Sequence, residues 1–141
     1  MVPPHLFPRL HANNHRVTSP PDPAYNCVAW SASDTAHWWQ PGVYWPIKVS
    51  TDAYGVAALE NAFRALGYDR CPDGELEAGF EKVALYGDSA FYTHAARQLT
   101  DGRWTSKLGH EDDIEHDTPD DLAGGIYGAV VLFMRRPRVA V

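Results

Sequence analysis

The chain has 141 residues, of which 45% are apolar, and its formal net charge is −6 at pH 7. This length and apolar content fit one domain with a core that needs neither disulfides nor metal ions. The acidic balance argues against a nucleic-acid partner, because binding to phosphates requires clustered Lys and Arg. With only two cysteines, Cys27 and Cys71, the chain is not a disulfide-rich secreted scaffold.

The N-terminal segment does not resemble an export signal. Prolines interrupt Met1–Pro8, and the segment has neither a basic start nor a long apolar run. Because no stretch approaches the length of a membrane span, we expect a cytoplasmic protein without membrane contact. Export as an effector by another machinery is the alternative. The sequence divides into an irregular proline-rich arm over residues 1–24 and a single domain over residues 25–141.

The first predicted helix begins at a cysteine. Asn26 is a good N-cap residue, which places Cys27 in the first turn of a helix that ends near His37 or Trp39. The N–H groups at the start of a helix favour a thiolate over a thiol. The sequence therefore predicts a reactive sulfur at Cys27, whereas Cys71 falls in a predicted turn without such support.

A second helix and several strands follow. Apolar residues at helical spacing predict a helix from Thr51 or Asp52 to Leu66, which Gly67 ends in a left-handed conformation. Strands are predicted over residues 80–86, around His94, after the Asp101-Gly102 turn and over residues 126–134, the last one central in the sheet. The dipeptide Asp101-Gly102 favours a tight hairpin, which makes its two strands antiparallel neighbours. Helices first and strands later indicate an α+β domain.

Three residues in this order suggest cysteine hydrolase chemistry. Such an enzyme needs a thiol nucleophile, an imidazole that takes and returns its proton, and a polar group that orients the imidazole. Cys27, His94 and Ser106 are the candidates for these three roles. The hairpin brings the strand of His94 next to that of Ser106, so we expect these two side chains to approach each other.

The same residues resemble a known family. Asn26-Cys-Val-Ala-Trp30, Thr93-His-Ala-Ala-Arg97 and Trp104-Thr-Ser-Lys-Leu-Gly109 resemble the motifs of the NlpC-type branch of the papain-like cysteine peptidases and amidases. The resemblance spans roughly residues 25–135. It implies a papain-like α+β fold of the NlpC type, with N-terminal helices packed on a mainly antiparallel sheet. It also implies that the third catalytic residue follows the histidine by one hairpin, at Ser106.

Other residues complete the predicted site. Asn26 and the backbone N–H of Cys27 are candidate donors to the oxyanion, and the aromatic residues Tyr25, Trp30 and Trp104 are candidates for contacts with the substrate. The family more often has His, Asn or Gln than Ser in the third role. Asp113 and His116 are therefore alternative third residues, provided that the acidic segment around them folds back towards His94.

The function predicted from these residues is cysteine-dependent hydrolysis of an amide in a peptide or protein, through a thioester and without a cofactor. Peptide hydrolysis, deamidation and acyl transfer to an amine use the same machinery and stay open. A metal site is a second hypothesis, which a solvated acidic loop explains better; its candidate ligands are His110, Asp112, Asp113, Glu115 and His116. A third is a non-catalytic papain-like module that holds a peptide or protein in an aromatic groove.

Overall fold

The computed structural model describes residues 7–19, 25–34, 37–40, 44–46, 54–88, 91–108 and 113–138. Within these ranges the chain forms seven strands, two α-helices and one 3₁₀ turn. In chain order they are β1 (His15–Ser19), α1 (Cys27–Ser31), α2 (Val56–Ala65), β2 (Asp69–Cys71), β3 (Phe80–Gly87), β4 (Tyr92–Gln98), β5 (Trp104–Lys107), β6 (Asp113–His116), the 3₁₀ turn (Pro119–Leu122) and β7 (Ala129–Pro137).

All seven strands belong to one antiparallel sheet, in the order β1-β6-β5-β4-β3-β7-β2. Over the described ranges the fold is thus essentially all-β, with two short helices. The predicted α+β class, with papain-like helices packed on a sheet, is wrong. Helices supply too little of the molecule, since α1 has five residues and α2 has ten.

The first helix is shorter than predicted because its backbone turns away early. Asn26 caps α1 as predicted, its side chain accepting a hydrogen bond from the N–H of Ala29. After Ser31, however, Ser33 adopts a left-handed conformation with φ of 63°, which a helix cannot contain. The backbone around Trp39 is consequently not helical. The second helix begins at Val56, and its predicted caps at residues 51 and 52 lie outside the described residues.

Three strands occur where the sequence predicts none. β1 lies inside the segment predicted as an irregular arm, β2 replaces the predicted turn around Cys71, and β6 replaces part of the predicted acidic loop. Each is short and is held by a distant partner, β1 by β6 and β2 by β7. The predicted strand near the C-terminus is β7, which lies next to the edge strand β2 and not at the centre.

The sheet separates two apolar cores. Strand β4 shows the division, since Ala95 packs in the first core and Ala96, its neighbour in sequence, packs in the second. The first core holds the buried residues of α1 and α2, including Ala29 and Phe63. The second core holds Trp104 and is closed by apolar residues from outside the strands. Within the described residues no helix is both long enough and apolar enough to cross a membrane.

Candidate functional site

A chain of hydrogen bonds links three side chains on the face of the second core. His94 Nε2 lies 3.0 Å from Ser106 Oγ, and Ser106 Oγ lies 2.8 Å from His116 Nε2. His116 Nδ1 in turn lies 2.8 Å from the carbonyl oxygen of Thr118. All three side chains are fully buried. The predicted approach of His94 and Ser106 across the Asp101-Gly102 hairpin is confirmed, and His116 stands behind Ser106.

The last hydrogen bond of the series, from His116 to the carbonyl oxygen of Thr118, fixes the proton positions. A carbonyl oxygen only accepts, so His116 Nδ1 carries a proton and donates it. Burial lowers the pKa of His116 to about 4, so the ring is neutral at pH 7 and its Nε2 is an acceptor. Ser106 therefore donates its hydroxyl proton to His116 and accepts the Nε2 proton of His94. We call this series the histidine relay.

The relay leaves one nitrogen of His94 as a base. Burial lowers the pKa of His94 well below its usual value, and repulsion between the two rings when both are protonated lowers it further. The ring is thus neutral, and because Nε2 carries the proton, Nδ1 has a bare lone pair. This buried Nδ1 accepts no hydrogen bond from the described residues. An unsatisfied buried acceptor costs free energy, which indicates that a donor is missing.

Aromatic rings hold His94 in place. The ring of Tyr127 stacks on the imidazole, with centroids 4.1 Å apart and planes 6° from parallel, and the ring of Tyr86 meets it at an angle. Tyr127 has no signal in the sequence that predicts this role, because it lies in a glycine-rich turn. The two rings exclude water from His94, which explains its lowered pKa.

Cys27 reaches the sheet from the other face. Its helix packs on the first core together with Ala95, whereas the His94 side chain packs on the second. The paired part of β4 and β5 comprises Arg97 with Thr105 and Gln98 with Trp104, so Ala95 lies beyond it. There the backbone N–H of Ala95 acts on the Cys27 thiol, whose pKa it lowers against the larger effect of burial. Because backbone N–H groups lie in the plane of the sheet, the thiol approaches the edge of β4 next to the residue that follows His94.

The thiol is less acidic than the sequence predicts. Burial raises the pKa of Cys27 to about 11, although the N–H groups of Ala95, Val28 and Cys27 itself and the charge of Lys107 oppose the shift. The helix N-terminus does not lower the pKa of Cys27 as predicted, because α1 spans only five residues and the desolvation of the sulfur dominates. Cys27 and His94 are accordingly a neutral pair at pH 7, not an ion pair.

The other predicted site residues on the α1 face act as anchors. Trp30 donates a hydrogen bond of 2.9 Å to Thr105 Oγ1 and stacks on Tyr25, whose hydroxyl donates to Asp113 Oδ2 at 2.9 Å. Asp113 therefore lies on the face opposite the relay, where Lys107 is its charged neighbour. The alternation of side chains along β6 separates Asp113 from His116 in this way.

Two further predicted site residues have structural roles. The amide of Asn26 binds the backbone of both Ala29 and Trp39, so it fixes the start of α1 and does not point to an empty oxyanion position. Trp104 is 2% exposed and packs on Phe133 in the second core. Trp39 is equally buried in the first core. Both tryptophans build the cores, and Trp104 also lines a surface cavity of about 560 Å³ together with Gln98 and Phe133.

The metal hypothesis lacks a cluster of ligands. The described residues contain no group of three or more His, Cys, Asp or Glu side chains arranged to hold a metal ion. Glu115 forms ion pairs with Arg16 and Arg103, and His116 belongs to the relay. The other two candidate ligands, His110 and Asp112, lie outside the described residues.

Comparison with known proteins identifies the family of the chain. Comparison with curated proteins and with solved structures gave no match. A family model described as a domain of unknown function, DUF7689, matches residues 16–135, which run from Arg16 in β1 to Arg135 in β7 and so cover nearly the whole sheet. The chain therefore belongs to the DUF7689 family.

Proposed function

We propose that this protein is a cysteine-dependent amide hydrolase that acts on peptides or proteins through a thioester, the chemistry of the NlpC-type peptidases and amidases. The observation that carries the proposal is the bare Nδ1 of His94. It is a buried base, oriented by Ser106 and His116 and without a hydrogen-bond donor among the described residues. We assign the missing donor to the thiol of Cys27, on which the backbone N–H of Ala95, the residue after His94, acts.

The reaction follows from the neutral state of the pair. His94 Nδ1 takes the thiol proton of Cys27 while the sulfur attacks the carbonyl carbon, forming a C–S bond and moving the C=O electrons onto oxygen. When the C=O bond re-forms, the C–N bond breaks, and the amine leaves with the proton from His94. Water then attacks the thioester, which releases the acid and returns the proton to sulfur. An amine in place of water gives acyl transfer.

Ser106 and His116 orient the base in this mechanism. As His94 takes the proton it becomes charged, and its Nε2 proton stays hydrogen-bonded to Ser106. Ser106 remains oriented because its own proton is directed at His116. A serine with a histidine behind it thus fills the role that a single His or Asn has in most orienting arrangements.

The proposal is tested with p-nitrophenyl acetate, an acyl donor that needs no specific pocket. Intact-mass and peptide mass spectrometry measure acetylation of each cysteine at pH 7. We expect one acetyl group on Cys27, none in Cys27→Ser, and a rate at least about 100-fold lower in His94→Gln, the usual contribution of general base catalysis.

Cys71→Ser is the matched control, because Cys71 is the other half-buried free cysteine. Its removal should leave acetylation unchanged. Acetylation mainly at Cys71, or equal Cys27 rates with and without His94, overturns the proposal. Substrates that carry a peptide bond or a glutamine amide, with and without an added amine, then separate hydrolysis, deamidation and acyl transfer.

A further inference from the structure

A buried charged cluster lies on the same face of the sheet as Cys27. The side chains of Lys107 and Asp113 are both fully buried, with Nζ and Oδ1 3.7 Å apart. Tyr25 completes the cluster, since its hydroxyl donates to Asp113 and the ammonium group of Lys107 lies 4.9 Å from the centre of its ring. Buried lysines are rare because removing the charge from water is costly. The burial of this ion pair therefore suggests that it has a function.

The cluster borders the helix that begins at Cys27. In the hairpin, Arg97 faces Thr105, and Ala95 and Lys107 follow two residues beyond this pair, both on the face that α1 covers. The backbone N–H of Ala95 in turn acts on the Cys27 thiol. Tyr25 precedes Cys27 by two residues, so the cluster borders the thiol through β5 and through the backbone that leads into α1.

We propose that Lys107, held by Asp113 and Tyr25, is a positioning residue whose ammonium charge stabilises the Cys27 thiolate. The inference rests on the proposed function, because it names the residue that supports the charge when His94 removes the thiol proton. The Coulombic effect agrees in sign: the charge of Lys107 lowers the pKa of Cys27, against the larger rise caused by burial.

The other ionisable groups around the thiol do not supply this charge. From β4, Tyr92 and His94 lie near Cys27, and Tyr127 approaches from the turn before β7. Burial raises the pKa of both tyrosines and lowers that of His94, so all three are neutral at pH 7. Asp113, on β6, is negative and acts on the thiol through its contact with Lys107.

The molecule contains a matched control for this arrangement. Lys82 is also buried, at 2% exposure, and its ammonium group donates to the Asp73 carbonyl, 3.1 Å away. The same carbonyl accepts a hydrogen bond from the Cys71 sulfur. The charge of Lys82 lowers the pKa of Cys71, which burial raises. Each of the two cysteines thus has a buried lysine of its own.

The test is the pH dependence of iodoacetamide alkylation at each cysteine, followed by peptide mass spectrometry. In Lys107→Met we expect the Cys27 profile to move to higher pH and its rate at pH 8 to fall about tenfold, as for a thiol pKa raised by one unit. The Cys71 profile should not move. Lys82→Met should have the opposite selectivity, and Lys107→Arg should restore most of the Cys27 rate.

Loss of Lys107 removes the cation that offsets Asp113, which threatens folding. The double variant Lys107→Met/Asp113→Asn removes both charges and keeps the test valid, with circular dichroism to verify the fold. An unchanged Cys27 profile in either folded variant, or equal shifts at both cysteines, overturns the inference. Failure of the proposed function gives a different result: no acetylated Cys27 in the unaltered protein, whatever the alkylation profiles show.

Discussion

The two faces of the sheet bury polar side chains in contrasting ways. On the α1 face, Lys107 and Asp113 form a charged pair in contact with Tyr25, which precedes Cys27 by two residues. On the other face, His94, Ser106 and His116 form a relay that is neutral throughout at pH 7. The two faces thus contribute different groups to one site: the α1 face contributes a fixed charge, and the other face contributes a base in one defined tautomer.

The largest expected effect is a loss of stability in acid that comes from the relay. An unfolded histidine binds a proton near pH 6.5, whereas burial lowers the pKa of His116 in the folded protein to about 4. As the pH falls from 6.5 to 4, the unfolded state takes up a proton that the folded state does not, and His116 alone lowers the free energy of unfolding by about 3 kcal/mol. His94 adds to this loss, because its pKa is also lowered.

Urea unfolding at pH 7 and at pH 5 measures the first part of this fall, on the order of 2 kcal/mol for His116. The variant His116→Gln should show a smaller fall in the free energy of unfolding between the two pH values, because it removes one of the two buried rings. Equal falls in both proteins would show that the relay is already protonated at pH 5, and the contrast between the faces would disappear.

The second effect comes from cutting the relay in the middle. Ser106→Ala removes the partner of both Nε2 atoms, and we expect a loss of about 1–3 kcal/mol in the free energy of unfolding. His94 is then free to move its proton to Nδ1, which removes the base. Acetylation of Cys27 by p-nitrophenyl acetate should therefore slow by about tenfold or more. An unchanged rate would show that the relay orients nothing.

The smallest expected effect comes from a conservative substitution on the α1 face. Trp30→Phe removes the hydrogen bond from the indole to Thr105, and Thr105 still donates to the carbonyl of Ile114. We expect a loss of about 1 kcal/mol by urea unfolding. Acetylation of Cys27 should keep its dependence on pH, since the relay is intact. Acetylation slowed as in Ser106→Ala would show that the two faces are not independent.

The features that sequence patterns predict correctly are local ones. The Asp101-Gly102 turn fixes which strands are neighbours, and this alone predicts the contact of His94 with Ser106. The cap at Asn26 is likewise read from a few residues. In contrast, β1 and β6 pair across roughly a hundred residues, with His15 opposite His116, and nothing near either strand predicts the other.

The electrostatics of the site depend on burial, which the sequence does not reveal. The dipole argument for Cys27 needs a long helix and a solvated sulfur, and the structure has neither. Whether Cys27 and His94 share a face depends on which side of β4 the helix covers. Strand alternation gives two sides to choose from, and only the packing of Ala95 against α1 decides between them.

The outer position of β1 has a consequence for protein engineering. β1 covers the free side of β6, the strand that carries both Asp113 and His116. A trimmed protein that starts at Tyr25 would leave the hydrogen-bonding groups of β6 open to solvent and to strands of other molecules, a common route to aggregation. Strand β1, although it lies in a proline-rich part of the sequence, is therefore a cover that expression work should retain.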